Sequence, residues 1–288
     1  MSLASTGELV TRAAETCSAV AAFNVITLEH VEAVVTGAES ARAPVVLQVS
    51  ENAVRFRGGR LLPLARAATA AAEHARVPVA LHLDHVQSDD LLRQASDAGF
   101  SSVMYDAARL PYTENLAATR AAVQWAHSQG IWIEAELGRI GGKGGPALDA
   151  HAPGARTDPA EARAFVAGTG VDALAVAIGS AHAMTTRTAA LDHELLGRLS
   201  TTLRLPLVLH GSSGIPDEGL LAAVAGGIAK VNVGTALNMA MTGAIRAFLA
   251  AHREVVDPRK YLVVCREAMA HEVARIIRVL AQPRATPA

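Results

Sequence analysis

The chain has 288 residues, of which 51% are hydrophobic and only 3% aromatic, and its formal net charge is −1. A chain of this length can bury a large core, either as a single barrel or as two modest domains. The near-neutral charge and the lack of a basic run argue against nucleic acid and against an anionic membrane surface as partners.

The sequence also predicts a soluble protein of the cytoplasm. No apolar run reaches the roughly 18 residues of a membrane-spanning helix. Glu8 and Glu15 stand where a secretory signal would be basic and then apolar. The two cysteines, Cys17 and Cys265, have neither a disulfide pattern nor a metal-type spacing, which favours a reducing compartment.

Short apolar segments alternate with helical patterns along the chain. A leading helix is predicted over residues 3–18. Buried strands are predicted over residues 21–25, 45–49, 77–85, 102–106, 131–136, 171–178, 207–210 and 229–233. Helices are predicted over residues 28–42, 61–76, 91–98 and 113–129, from Asp158 onward, and then to about residue 280.

Eight strands that alternate with helices predict an α/β fold, a single-domain TIM (β/α)₈ barrel over residues 1–288. The alternative is a doubly wound open sheet, which usually carries a glycine-rich phosphate turn after its first strand. Phe23-Asn24-Val25-Ile26 contains no such turn. The one long irregular segment, residues 138–157, is too long for an ordinary connection and is predicted to be a mobile loop.

Polar residues occur at the carboxyl ends of nearly all the predicted strands. In a barrel these ends meet at one face, where enzymes of this fold carry their active sites. The residues are Asn24, Ser50, Asp84, His85, Asp106, Glu136, His182, His210 and Asn232. Considered by itself, Asp84 could simply cap the helix that follows its strand. The presence of a polar residue at the end of nearly every predicted strand favours a functional site instead.

Three of these residues are histidines from separate strand ends. His85, His182 and His210 suit a divalent metal with an open coordination position, the arrangement of catalytic zinc. Such an ion can polarise a carbonyl as a Lewis acid. A loop or core role explains each histidine when it is considered singly, whereas their joint placement favours a metal.

Small residues and hydroxyls follow the seventh and eighth predicted strands. They form Gly211-Ser212-Ser213-Gly214 and Gly234-Thr235. Tight turns explain the glycines equally well, but their occurrence after both strands favours a phosphate cradle made of backbone N–H groups and helix N-termini.

The chain resembles the class II (zinc-dependent) ketose-bisphosphate aldolases, the fructose- and tagatose-bisphosphate aldolase family. The resemblance covers essentially the whole chain and depends on six motifs that occur in the family's order. The motifs are residues 81–85 (LHLDH), 99–104 (GFSSVM), 134–138 (EAELG), 175–182 (AVAIGSAH), 207–214 (LVLHGSSG) and 230–233 (KVNV). The resemblance implies a lyase that reversibly cleaves a ketose phosphate, such as fructose or tagatose 1,6-bisphosphate. The products would be dihydroxyacetone phosphate and an aldehyde such as glyceraldehyde 3-phosphate.

The resemblance also implies roles for individual residues. His85, His182 and His210 match zinc ligands, with the acidic Asp106 and Glu136 near the metal. Asp84 matches the catalytic acid/base. The positions that match substrate contacts are Asn24, Ser50, Gly211, Ser213, Asn232, Thr235 and Arg259. Of these, Arg259 matches the arginine that binds the distal phosphate, in some members of the family across a subunit boundary. A monovalent cation (Na⁺ or K⁺) and a homo-oligomer, dimer or tetramer, are further implications.

The chain departs from the family pattern in the long loop, where a Glu behind a Gly-Gly pair is expected and Lys143-Gly144 stands instead. A displaced residue such as Asp149 or His151, or Lys143 itself, would have to replace that acid. Alternatively, the barrel has a shifted substrate, or binds metal and sugar phosphate with little catalysis. Another metal-dependent barrel hydrolase would usually take a His-x-His pair from the first strand, and this chain has none there.

Overall fold

The computed structural model describes residues 3–138 and 156–281 and contains a closed parallel barrel of eight strands surrounded by helices. The strands are β1 (Leu3–Ala4), which lies outside the ring, β2 (Val20–Asn24), β3 (Val45–Ser50), β4 (Val79–Val86), β5 (Ser102–Tyr105), β6 (Trp132–Leu137), β7 (Ala173–Val176), β8 (Leu207–Leu209) and β9 (Ile228–Val233). From β2 to β9 each strand pairs with the next, and β9 pairs with β2. The predicted TIM barrel is confirmed.

Helices cover the outside of the ring. They are α1 (Thr6–Glu15), α2 (Leu28–Ala41), α3 (Glu51–Phe56), α4 (Leu62–His74), α5 (Asp89–Leu92), α6 (Tyr112–Ser128), α7 (Pro159–Thr169), α8 (His193–Thr202), α9 (Asp217–Ala225), α10 (Thr235–Ala251) and α11 (Pro258–Leu280). The predicted start of α7 is confirmed, because the Asp158 side chain accepts hydrogen bonds from the N–H groups of Ala160 and Glu161. Among the described residues, none of the helices has the length and apolar character needed to cross a membrane.

The leading helix predicted over residues 3–18 is shorter in the structure. Leu3 and Ala4 form β1 instead, paired with Val79 and Ala80 of β4. The pairing of β4 with β5 begins only at His82, so the amino end of β4 has an open edge that β1 occupies. The backbone hydrogen bonds gained along this edge outweigh the helical pattern of the first residues.

The helix predicted over residues 91–98 is also shorter. Ser88 caps α5 by accepting from the Leu91 N–H, but the regular helix ends at Leu92. The chain then continues in tighter turns, with the N–H of Ala95 donating to the Leu92 carbonyl, until Gly99 adopts a left-handed φ of 88°. Helical periodicity in the sequence did not distinguish such turns from a helix.

The interior of the barrel changes from apolar to polar along the strands. Near the amino ends, a cluster of buried residues packs beneath α1: Val10, Val20, Ala22, Val46, Ala80 and Ala229. Further along, fully buried polar side chains follow, namely Gln48, His82, Ser102, Glu134 and Lys230. Because burying polar groups costs free energy unless they are hydrogen-bonded, this layer indicates that the carboxyl end of the barrel is the functional end.

Candidate active site

Three imidazoles meet at the carboxyl end of the barrel. His85 lies in β4, while His182 and His210 follow β7 and β8. The ring centroids are 5.3 Å apart for His85 and His182, 4.8 Å for His85 and His210, and 5.9 Å for His182 and His210. With Glu136 they form a group in which one nitrogen or oxygen from each residue lies within 4.8 Å of the others, so the four residues can share one metal ion.

The backbone at His85 is in an uncommon conformation. Its φ is 49°, in the left-handed region that few residues other than glycine adopt, and the β4–β5 register shifts between Leu83 and Val86. The irregularity places Asp84 and His85, two neighbours in one strand, on the same cavity wall. Strain of this kind is typical of functional positions.

Asp106 fixes the orientation of the His85 ring. Its Oδ2 lies 2.9 Å from His85 Nδ1, and an ionised carboxylate can only accept, so Nδ1 donates and Nε2 remains for a ligand. A carboxylate behind a metal-binding imidazole is common in metal sites. The structure thus places Asp106 behind His85 and outside the group of four.

His210 lies between two carboxylates. Its Nε2 is 2.9 Å from Glu134 Oε1, and its Nδ1 is 3.0 Å from Glu136 Oε2. Burial lowers the pKa of His210, but the hydrogen bonds to Glu134 and Glu136 outweigh burial and raise it to about 9. Both carboxylates therefore favour positive charge at this imidazole, which a divalent cation supplies as well as a proton does.

Lys230 supports Glu134 from below. Its Nζ lies 2.8 Å from Glu134 Oε2, and neither side chain is exposed. Burial raises the pKa of Glu134, but Lys230 and His210 outweigh it and lower the pKa to about 2. The sequence analysis assigned no function to this pair. The available signal was a charged residue in the interior of each of two mostly apolar strands, β6 and β9.

Asp84 accepts a hydrogen bond from the Asn24 amide of β2, which in turn accepts one from Gln48 of β3. Asn24 Nδ2 donates to Asp84 Oδ2 at 2.8 Å, and Gln48 Nε2 donates to Asn24 Oδ1 at 3.3 Å. His85 Nε2 lies 3.9 Å from Asp84 Oδ1. The carboxylate thus lies beside the imidazole group with a fixed orientation.

A cavity of about 510 Å³ opens above this group. Its lining includes most of the residues predicted to act: Asn24, Ser50, Asp84, His85, His182, Gly211, Ser213, Asn232 and Thr235. The sequence did not predict that Arg55, Gln87, Arg109 and Asn238 also line it. All of these are polar residues in the connections after barrel strands or in the helices that follow.

Arg259 is the predicted substrate residue that does not reach this cavity. It lies exposed at the start of α11, where its Nε and Nη2 donate to Asp257 at 3.0 Å and 2.7 Å. Its predicted contact with a distal phosphate would therefore need a second subunit. The predicted mobile loop lies outside the described residues between positions 139 and 155, as do Lys143, Asp149 and His151.

The connections after β8 and β9 form one side of the cavity. Gly211 has a φ of 66°, and a Cβ there would lie 2.6 Å from the carbonyl carbon of Ala181, so only glycine fits. Ser213 Oγ accepts from the Ala236 N–H at 3.1 Å, which joins this turn to the N-terminus of α10. Both polar atoms of the buried Asn232 amide lack a hydrogen-bond partner among the described residues, as expected of a group that binds a ligand.

Comparison with known proteins agrees with this geometry. Residues 4–283 match the family described as Fructose-bisphosphate aldolase class-II. The chain belongs to this family. Zinc dependence is general in class II, so the four-residue group is consistent with the family's metal requirement.

Individual relatives cover almost the whole chain. A fructose-bisphosphate aldolase of Staphylococcus aureus is 39% identical over 275 residues, which is 95% of each protein. The crystal structure of the YdjI aldolase from Escherichia coli K12 superposes with a TM-score of 0.81 at 30% identity and covers 98% of both chains. A Campylobacter jejuni fructose-bisphosphate aldolase shares the fold, with a TM-score of 0.82 at 23% identity.

Proposed function

We propose that this protein is a zinc-dependent aldolase that reversibly cleaves a ketose phosphate, such as fructose or tagatose 1,6-bisphosphate, into dihydroxyacetone phosphate and an aldehyde. The observation that carries the proposal is the convergence of His85, His182 and His210 beside Asp84 in one cavity. Family membership supports the reaction class. The roles given below to individual residues are part of the proposal.

His85, His182 and His210 would hold the metal, and Glu136 is the carboxylate close enough to join them. Asp106 would keep the His85 ring in the orientation needed for binding. Bound zinc would supply a Lewis acid that stabilises the negative charge developing on the ketose during cleavage.

Asp84 would act as the acid/base. Cleavage removes a proton from the hydroxyl beside the breaking carbon–carbon bond, and that hydroxyl becomes the carbonyl of the aldehyde. The bonding pair stays with the other half, whose carbon takes up one proton to give dihydroxyacetone phosphate, so no proton is gained or lost overall. The hydrogen bond from Asn24 holds the Asp84 carboxylate beside His85. A positioned acid/base of this kind contributes about 10²- to 10⁴-fold to a rate.

The phosphate of the dihydroxyacetone half would bind where Gly211, Ser213 and Thr235 line the cavity at the N-terminus of α10. Asn232 would bind an oxygen of the carbon chain, since its buried amide has no other described partner. Ser50 would contact the substrate from the wall formed after β3. Fixing the substrate in this way lowers the entropic part of the barrier.

The decisive experiment measures dihydroxyacetone phosphate release from fructose and tagatose 1,6-bisphosphates before and after chelation. We expect the chelator to abolish release and added zinc to restore it, and Asp84→Asn to remove activity while zinc remains bound. Turnover that is indifferent to chelation would overturn the proposal.

A weaker catalyst that mainly binds sugar phosphate is the second candidate, favoured by Lys143-Gly144 in place of the expected loop acid. It predicts phosphate binding by calorimetry without measurable cleavage. The monovalent cation, the homo-oligomeric state and the cytoplasmic location stay predictions. Rates in Na⁺, K⁺ and choline salts, light scattering and cell fractionation test them.

A further inference from the structure

A guanidinium group lies on the side of the cavity farthest from the proposed phosphate cradle. We propose that Arg109 is a specificity-determining residue that binds an oxyanion, phosphate or carboxylate, at the far end of the aldehyde half of the substrate. This inference rests on the proposed function and deepens it, because it specifies the charge of the second product.

The order of the strands places Arg109 across the barrel from the cradle. Arg109 follows β5, whereas Asn232 and Thr235 lie in and after β9. In the ring of eight strands, β5 and β9 are four positions apart, which is the largest separation possible. A linear ketose with its first phosphate in the cradle would cross the imidazole group and end near β5.

Of the two arginines that line the cavity, Arg109 is the one that forms no ion pair with another described residue. Arg55, the other arginine in the described lining, forms an ion pair with Glu51 across one helical turn. Glu51 in turn accepts from the N–H groups of Gln87 and Ser88. Within residues 3–138 and 156–281, no carboxylate pairs with Arg109, which is exposed to solvent. Its charge is therefore available to a ligand.

The turn that carries Arg109 is tied to the metal group. Asp106, which orients His85, also accepts from the Ala108 N–H through Oδ1 at 3.4 Å, and the Leu110 N–H donates to the Ala107 carbonyl at 3.0 Å. These bonds fix the backbone on both sides of Arg109. The guanidinium that this backbone carries can donate two parallel hydrogen bonds to a phosphate or a carboxylate.

The test compares aldehydes that carry a phosphate, no charge or a carboxylate at the far end. Wild type and Arg109→Gln are assayed in the synthetic direction with dihydroxyacetone phosphate and either glyceraldehyde 3-phosphate, glyceraldehyde or succinic semialdehyde. Loss of a charge-assisted contact predicts about a 10- to 100-fold fall in kcat/KM for the phosphorylated aldehyde. Glyceraldehyde should change by less than about 2-fold, and Arg109→Lys should recover part of the difference. A fall for succinic semialdehyde instead would identify a carboxylate as the natural anion.

Two control variants separate this role from general charge effects. Arg93→Gln and Arg60→Gln each remove an exposed arginine that does not line the cavity, and each should leave the preference for an anionic aldehyde nearly unchanged. Arg55→Gln and Arg259→Gln test the two other arginines that could bind the far end of the substrate, from the cavity lining and from a second subunit. An equal loss for all aldehydes in Arg109→Gln, or a selective loss only in Arg259→Gln or Arg55→Gln, would overturn the inference.

Calorimetry separates this inference from the proposed function. Fructose 1,6-bisphosphate and fructose 1-phosphate are titrated into the metal-loaded wild type and Arg109→Gln. The inference predicts that only the bisphosphate loses affinity, by about 10-fold or more. Binding without turnover would contradict the aldolase reaction alone, while equal affinities of the wild type for both ligands would contradict the role of Arg109.

Discussion

The buried pair of Lys230 and Glu134 gives the most demanding prediction for stability. Replacing Lys230 with Met removes the ammonium 2.8 Å from Glu134 Oε2 and leaves a fully buried carboxylate whose remaining hydrogen-bonded partner, among the described residues, is the His210 imidazole. Removing one partner of a buried ion pair costs about 3–5 kcal/mol. For a chain of this size that cost lowers Tm by roughly 6–10 °C.

The assay is urea unfolding of the zinc-free protein, followed by circular dichroism. Glu134→Gln should cost a similar amount, because it leaves the Lys230 ammonium buried without a counter-charge. The double variant Lys230→Met/Glu134→Gln removes both charges, so its cost should fall below the sum of the two single costs by about 1–3 kcal/mol. Lys260→Met makes the same chemical change at an exposed position and should stay within about 0.5 kcal/mol of wild type.

The same variants also test whether the pair positions His210. If Lys230 and Glu134 orient the imidazole, Lys230→Met should weaken zinc binding by about 10- to 100-fold, the effect typical of groups behind a metal ligand. Strict additivity of the two single costs, or unchanged unfolding and zinc affinity in Lys230→Met, would refute this reasoning.

The remaining predictions concern the metal, the acid/base, the cradle and one surface network. His182→Ala should lose zinc on dialysis against a chelator while its unfolding midpoint stays near that of wild type, because the side chain is only half-buried. Asp84→Asn should lower kcat by about 10²- to 10⁴-fold with full zinc content by elemental analysis. Gly211→Ala would place a Cβ 2.6 Å from the backbone of Ala181, so calorimetry should show at least about 10-fold weaker binding of dihydroxyacetone phosphate. Burial raises the pKa of Asp217, but the hydrogen bonds and charges of Arg187 and Arg275 outweigh burial and lower the pKa below its usual value of 3.8. The Asp217 carboxylate therefore stabilises the fold above about pH 4, and this stabilisation is lost as the pH falls through the lowered pKa. Because the side chain is 40% exposed, Asp217→Asn should reduce stability at pH 7 by less than about 1 kcal/mol. This difference from wild type should shrink as the pH falls through the lowered pKa, which acid titrations of the urea midpoint would show.

Much of the barrel could be predicted because parallel strands buried on both faces form continuous apolar runs. The boundaries of β3, β4 and β6 agree with the predicted ones to within about two residues. The short strand β1 and the turns after Leu92 could not be predicted, because tertiary hydrogen bonds to β4 and tighter turns replaced helical bonds there. Such choices depend on neighbours that a local pattern does not contain.

The residues of the site likewise include some that the sequence could predict and some that it could not. Strand ends identified the three histidines and Asp84, since the barrel brings those ends together whatever the loops do. The support of Glu134 by Lys230 depends on which side chains meet inside the barrel, and the sequence alone does not specify those contacts. The sequence did not identify Arg109 as a site residue, because arginines are common in the connections between strands and helices. Its place in the cavity lining is visible only in the structure.

Anomalous diffraction at the zinc edge, from crystals of zinc-loaded protein with dihydroxyacetone phosphate, tests the central claim most directly. The account predicts one strong peak bounded by the rings of His85, His182 and His210, with the phosphate of the ligand near Gly211 and Thr235. No peak among these imidazoles, or zinc bound only elsewhere on the chain, would contradict it.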